Sequence, residues 1–80
     1  MTPKQCKAAR ALLGMSQNEL LSLASITGKT LSDYESGKTR PYSRTLDAIR
    51  EALEAAGVEF IAENGGGAGV RLRKPTESPE

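Results

Sequence analysis

The chain has 80 residues, 38% of them hydrophobic and 26% charged, which leaves room for one small core and excludes a second catalytic domain. Eleven Lys and Arg against ten Asp and Glu give a net charge of +1, so any polyanionic partner has to be met by the placement of charge and not by its total. With no His and a single Cys, Cys6, an internal disulfide, the commonest metal ligand and every His-assisted nucleophile are missing. No enzyme activity, metal or cofactor is expected. No window approaches the roughly 18 apolar residues of a membrane span, and no basic segment followed by an apolar run marks a secretory signal. The expected setting is the cytoplasm, with no membrane partner. A core of this size rarely supplies more than about 3 to 5 kcal/mol, which makes self-association the expected aid.

Thr2-Pro3-Lys4-Gln5 has a capping residue, a first-turn proline and the third member of a capping box. It opens a first helix running to about Leu13. Cys6, Ala9 and Leu13 form one apolar stripe with Arg10 beside it, and Gly14 stops the helix. Cys6 is expected to pack and not to sense redox state. Ser16-Gln17-Asn18-Glu19 is a second capping box, predicting a short helix to Ala24 with Leu20, Leu23 and Ala24 on its apolar side. Thr27 caps a third helix, to about Ser36, which Gly37 ends. On that helix Gly28, Lys29, Ser32, Asp33 and Ser36 share one face, while Thr30, Leu31 and Tyr34 share the opposite one. Ser43 is the predicted cap of a fourth helix carrying Leu46, Ile49, Leu53 and Ala56 on one side, closed by Gly57.

From Val58 the hydrophobic period shortens. Val58 to Ala62 and Val70 to Arg73 read as strands of a hairpin around Asn64-Gly65-Gly66-Gly67-Ala68-Gly69. That glycine-rich stretch lacks the lysine and following hydroxyl residue of a phosphate loop, so turn geometry explains it better. The predicted organisation is a helical domain over 1–57, a hairpin over 58–74 and a disordered tail over 75–80, which has two prolines and no apolar anchor.

Two short helices joined by a three-residue turn, the second with a polar outer face, follow the helix-turn-helix plan, whose second helix enters the major groove of DNA. Ser16-Gln17-Asn18-Glu19-Leu20, Ser25-Ile26-Thr27 and Glu35-Ser36-Gly37-Lys38-Thr39-Arg40-Pro41 make the likeness sharper. Over residues 2 to 57 the chain resembles the phage repressor and Cro-type (XRE-like) helix-turn-helix transcriptional regulators. The fold class this implies is mainly α, a four-helix repressor-like helix-turn-helix domain followed by the C-terminal β-hairpin. The chain departs from the family at Leu21, where Ala is usual, at Ser25, where Gly usually opens the turn, and at Asp33, where a long polar or basic residue is common.

The resemblance implies that Gln17 holds a phosphate beside the N-terminus of its helix, and that Thr27, Gly28, Lys29 and Asp33 face bases. Lys29 suits guanine O6 and N7, and Asp33 suits a cytosine amino group. Gly28 would act by close approach, having no side chain. Thr30 and Ser32 are candidate phosphate contacts. Lys38, Arg40 and Arg44, with no acidic residue between Ser36 and Arg44, suit the sugar-phosphate backbone. The family also pairs the residues matching Arg10 and Glu35 in a partly buried ion pair. The expected partner is a palindromic double-stranded operator bound by a homodimer, with Val58, Phe60, Ile61, Val70 and Leu72 as the dimerising residues and repression as the expected outcome. The alternative is an antitoxin-like interaction module that binds a toxin or other protein through the hairpin edge and regulates its own operon.

Overall fold

A computed structural model describes residues 1–73. Its elements are α1 (Pro3–Leu13), α2 (Gln17–Ala24), α3 (Gly28–Glu35), α4 (Ser43–Ala56), β1 (Val58–Ile61) and β2 (Gly69–Leu72). The fold is mainly helical with a C-terminal two-stranded antiparallel hairpin. The tail expected over 75–80, and Lys74 at the end of the predicted hairpin segment, lie outside the described residues.

Caps place the first three helices. At α1, Thr2 Oγ1 accepts from the Gln5 N–H (3.1 Å) and Gln5 Oε1 from the Thr2 N–H (2.8 Å). Ser16 and Glu19 repeat the arrangement at α2 (3.1 and 2.8 Å), and Thr27 caps α3 through the Thr30 N–H (3.2 Å). Each box satisfies helix-end donors that would otherwise face water or the core. The predicted cap at Ser43 is corrected. The Leu46 N–H already bonds the Tyr42 carbonyl (3.0 Å), so Tyr42 stands at the N-cap, makes no side-chain capping bond, and Ser43 falls inside the helix. α3 also ends one residue early, with Ser36 as its C-cap.

Cys6, Leu20, Leu31, Ile49, Leu53 and Val58 are fully buried, with Ala9, Ala24 and Tyr34 completing the core. At about 1.5 to 3 kcal/mol per large aliphatic side chain, these few residues hold the helices together. Two stripe assignments are corrected. α2 buries Leu20 and Ala24 and half-buries Leu21, so its apolar face is centred on these residues, packed against α4 and α3, and Leu23 is 59% exposed. On α4 the stripe ends at Leu53, and Ala56, in the last turn beside the C-cap Gly57, is exposed.

The hairpin pairs Val58 with Leu72, Glu59 with Arg71, Phe60 with Val70 and Ile61 with Gly69. β2 lies against α1 and β1 against α4. Strand alternation puts Val58, Phe60, Val70 and Leu72 on one face, and Val58, Phe60 and Val70 on that face pack on the core. The opposite face carries the Glu59–Arg71 ion pair (2.9 Å), and its one large apolar side chain is Ile61, half-buried over Gly69; the five residues expected to dimerise are therefore split between the two faces. Gln5 ties the hairpin to α1: its Nε2 donates to the Ile61 (3.2 Å) and Gly69 (2.7 Å) carbonyls. At the other end the Arg73 guanidinium donates to the Glu54 and Val58 carbonyls.

Candidate nucleic-acid interface

α2 and α3 meet through a three-residue turn whose geometry rests on Ser25 in the left-handed region (φ 57°). There the Ser25 and Ile26 N–H groups bond the Leu21 carbonyl, the latter at 3.2 Å. Ile26 turns back onto the core. The larger Leu21 is accommodated by lying over the start of α3, with Cδ1 3.7 Å from where a Cβ at Gly28 would stand. That is ordinary contact, so the fold itself does not require glycine at position 28.

Behind this pair of helices lies a polar network centred on Glu35, which is 4% exposed. Arg10 binds its carboxylate with two prongs, Nη2 to Oε1 at 2.7 Å and Nε to Oε2 at 2.8 Å. Gln17 Nε2 donates to Oε1 (2.9 Å) and the Cys6 thiol to Oε2 (3.1 Å), while Arg10 Nη1 reaches the Met15 carbonyl (3.1 Å). Burial pushes the Glu35 carboxyl up, but the bonds from Arg10, Gln17 and Cys6 outweigh it and hold the group below its ordinary range. Burial, reinforced by Glu35, pushes the Cys6 thiol far up, so Cys6 is a protonated donor inside the core. Burial likewise pushes Tyr34 up to about 12, and its hydroxyl donates to the Met1 carbonyl (3.2 Å). The network joins α1, α2 and α3 at one point and thereby sets how α3 stands relative to α2.

On the other side of α3, Gly28, Lys29 and Ser32 are exposed, and Thr30 and Asp33 are half-buried. Thr27 is exposed at the cap, its hydroxyl on Thr30 Oγ1 (2.9 Å). Lys29 Nζ bonds Asp33 Oδ2 at 2.9 Å, which holds the Asp33 carboxyl below its ordinary range. Lys38 and Arg40 sit exposed in the loop after α3, and Arg44 in the first turn of α4. Among the described residues none of these three cations has a carboxylate partner. Thr27, Lys29, Thr30 and Asp33 thus line one groove, Lys38 and Arg40 line a neighbouring one with Thr2 and Tyr34, and Gln17 is the exception in orientation. It begins α2 as expected, yet its side-chain amide turns inward to Glu35.

One residue of this surface escaped the sequence reading. Tyr42 is 85% exposed and lines a groove with Thr27, Lys29, Asp33, Pro41 and Thr45, between α3 and the start of α4. An aromatic within the basic stretch from Lys38 to Arg44 was the available signal. An exposed helix of this kind, flanked by unpaired cations, presents hydrogen-bonding groups to base edges and positive charge to phosphates.

Comparison with curated proteins returns no match. No helix of the described residues is long and apolar enough to cross a membrane. A helix-turn-helix family model matches residues 7–60, from α1 into β1 and well over half of the chain. The chain therefore belongs to the XRE family of DNA-binding helix-turn-helix regulators, a family that is generally not enzymatic.

Proposed function

We propose that this protein is a transcriptional repressor that inserts α3 into the major groove of a palindromic operator as a homodimer, in the cytoplasm where that DNA resides. The observation that carries the reading is the exposed face of α3, followed in the chain by the cations Lys38, Arg40 and Arg44, which have no carboxylate partner among the described residues. Lys29 and Asp33 face the bases, with Gly28 and Thr27 at close approach and Ser32 toward a phosphate. Thr30, Lys38, Arg40, Arg44 and the N-terminus of α2 at Gln17 meet phosphates. One such unit covers a half-site, and two of them about 34 Å apart cover both.

Dimerisation is assigned to the hairpin. The Arg73 N–H bonds the Gly57 carbonyl (2.7 Å), and the alternation of antiparallel pairs from that point turns the Phe60 N–H and C=O away from β2. That edge of β1, with Ile61 beside it, is the surface a second copy would cover, while Val58, Phe60 and Val70 hold the hairpin on its own core. An antitoxin-like use of the same edge is the second reading, and the exposed Leu12, Leu23 and Leu72 are what favour it.

The test is duplex binding by wild type, Lys29→Ala and Arg40→Ala, on a site obtained by random-sequence selection and on random DNA. Lys29→Ala should lose about 1 to 3 kcal/mol on the selected site alone. Arg40→Ala should weaken both duplexes alike and lower the salt slope by about one. Equal losses on both duplexes for both variants would refute these roles. Sedimentation of wild type against Ile61→Lys checks the dimer, and two identical profiles would remove the hairpin from it.

A further inference from the structure

Lys29 and Asp33 form an i,i+4 ion pair at the surface of α3, 2.9 Å from Nζ to Oδ2, with the Lys29 side chain 81% exposed and the Asp33 side chain, partly covered, 17% exposed. A surface pair of this spacing contributes about 0.2 to 0.5 kcal/mol to a helix when the acid precedes the base. Here the order is reversed. Lys29 lies in the first turn of α3, where the helix dipole disfavours a cation, and Asp33 lies toward the C-terminal end, where it disfavours an anion. α3 has neither an acid in its first turn nor a base in its last. Helix stability is therefore a poor explanation for this pair, because exchanging its members would serve the helix better.

The base edges supply a better one. In the major groove a C·G pair presents the cytosine N4 amino group beside guanine O6, with guanine N7 as a further acceptor. N4 and O6 are joined by the pair's own hydrogen bond, so they lie about 2.9 Å apart. A carboxylate and an ammonium that are themselves 2.9 Å apart offer the matching acceptor and donor at the matching spacing. An A·T pair also places an amino group beside a carbonyl. There, however, adenine N7 faces the carboxylate and the thymine methyl faces the ammonium, whereas guanine N7 gives the ammonium a second acceptor.

We infer that Lys29 and Asp33 act as one unit that reads a single C·G base pair in a fixed orientation, Asp33 on cytosine N4 and Lys29 on guanine O6 and N7. The inference rests on the reading of α3 as the groove helix. Turning the base pair round would set the carboxylate against O6 and N7, so the unit rejects G·C as well as A·T. Mutual pairing before binding also offsets the repulsion between Asp33 and nearby phosphates, which would otherwise oppose approach.

The test is random-sequence selection with four proteins: wild type, Lys29→Ala, Asp33→Ala, and the exchanged double variant Lys29→Asp with Asp33→Lys. Wild type should select one C·G pair by about tenfold or more, and both single variants should lose preference at that same pair. The exchanged variant should melt no lower than wild type, since its order suits the dipole, and should return the pair with its strands exchanged. Loss of preference at two different positions in the single variants would overturn the inference, as would an unchanged orientation in the exchanged variant. If the exchanged variant binds no DNA, the positions lost in the two single variants decide the matter alone. If wild type selects nothing above random, the groove reading itself fails and this inference with it.

Discussion

Replacing Glu35 with Ala removes an acceptor of four hydrogen bonds, two from Arg10 and one each from Cys6 and Gln17. Arg10 is left with the Met15 carbonyl and a guanidinium side chain only 18% exposed. Breaking a buried pair by deleting one partner costs about 3 to 5 kcal/mol, and the partial access of Arg10 to water puts this site at the lower end, about 3 kcal/mol. A domain of this length holds roughly 4 to 12 kcal/mol in total. At roughly 4 to 8 °C per kcal/mol, the melting temperature should fall by about 12 to 24 °C. Thermal and urea unfolding followed by circular dichroism measure it. Replacing both partners, Arg10→Met with Glu35→Leu, should recover most of the loss, because neither charge then needs a partner. The pH dependence has a definite sign. The folded carboxyl of Glu35 lies below its ordinary 4.5, so its contribution is complete above about that value and is lost as pH falls through the folded-state pKa. Wild type should therefore lose stability in acid more steeply than Glu35→Ala. A single variant within about 1 kcal/mol of wild type, or a double variant as poor as the sum of both singles, would refute the assignment of the α1–α3 junction to this pair.

Ser25 holds a left-handed conformation that costs a non-glycine residue about 1 to 2 kcal/mol. Ser25→Gly should therefore raise stability by about 0.5 to 1 kcal/mol after the extra backbone entropy of glycine is subtracted; a lower urea midpoint would contradict that. Gln5→Ala removes the bonds to the Ile61 and Gly69 carbonyls and half of the α1 capping box, a loss of about 1 to 3 kcal/mol. Hydrogen exchange should then quicken first at the amides of 58–61 and 69–72, and a rise spread evenly over the chain would mean that Gln5 does not latch the hairpin.

The helices were legible because their signals are local. Capping boxes at Thr2 and Ser16, the cap at Thr27 and the stops at Gly14 and Gly57 act within one turn of the chain, so three-residue spacings carry them. The local signal misled at Ser43, where a good capping residue stands one position inside a helix that had already begun at Tyr42. It misled again at Leu23, whose helical spacing from Leu20 suits a core position although its side chain is 59% exposed.

By itself the sequence determined the number and order of the elements, the helix-turn-helix register and the residues on the outer face of α3, all of which follow from periodicity and capping over a few residues. Tertiary structure alone decided which way shared groups turn. Only the meeting of α1, α2 and α3 adds Gln17 and Cys6 to the Arg10–Glu35 pair that the family likeness implied. Only the docking of the hairpin on α1 and α4 takes Val58, Phe60 and Val70 into the core and leaves Ile61 outside it. The pairing of Lys29 with Asp33 stands between the two. Its i,i+4 spacing is written in the chain, but its 2.9 Å contact depends on both side chains choosing each other over solvent, a choice that spacing permits and does not compel.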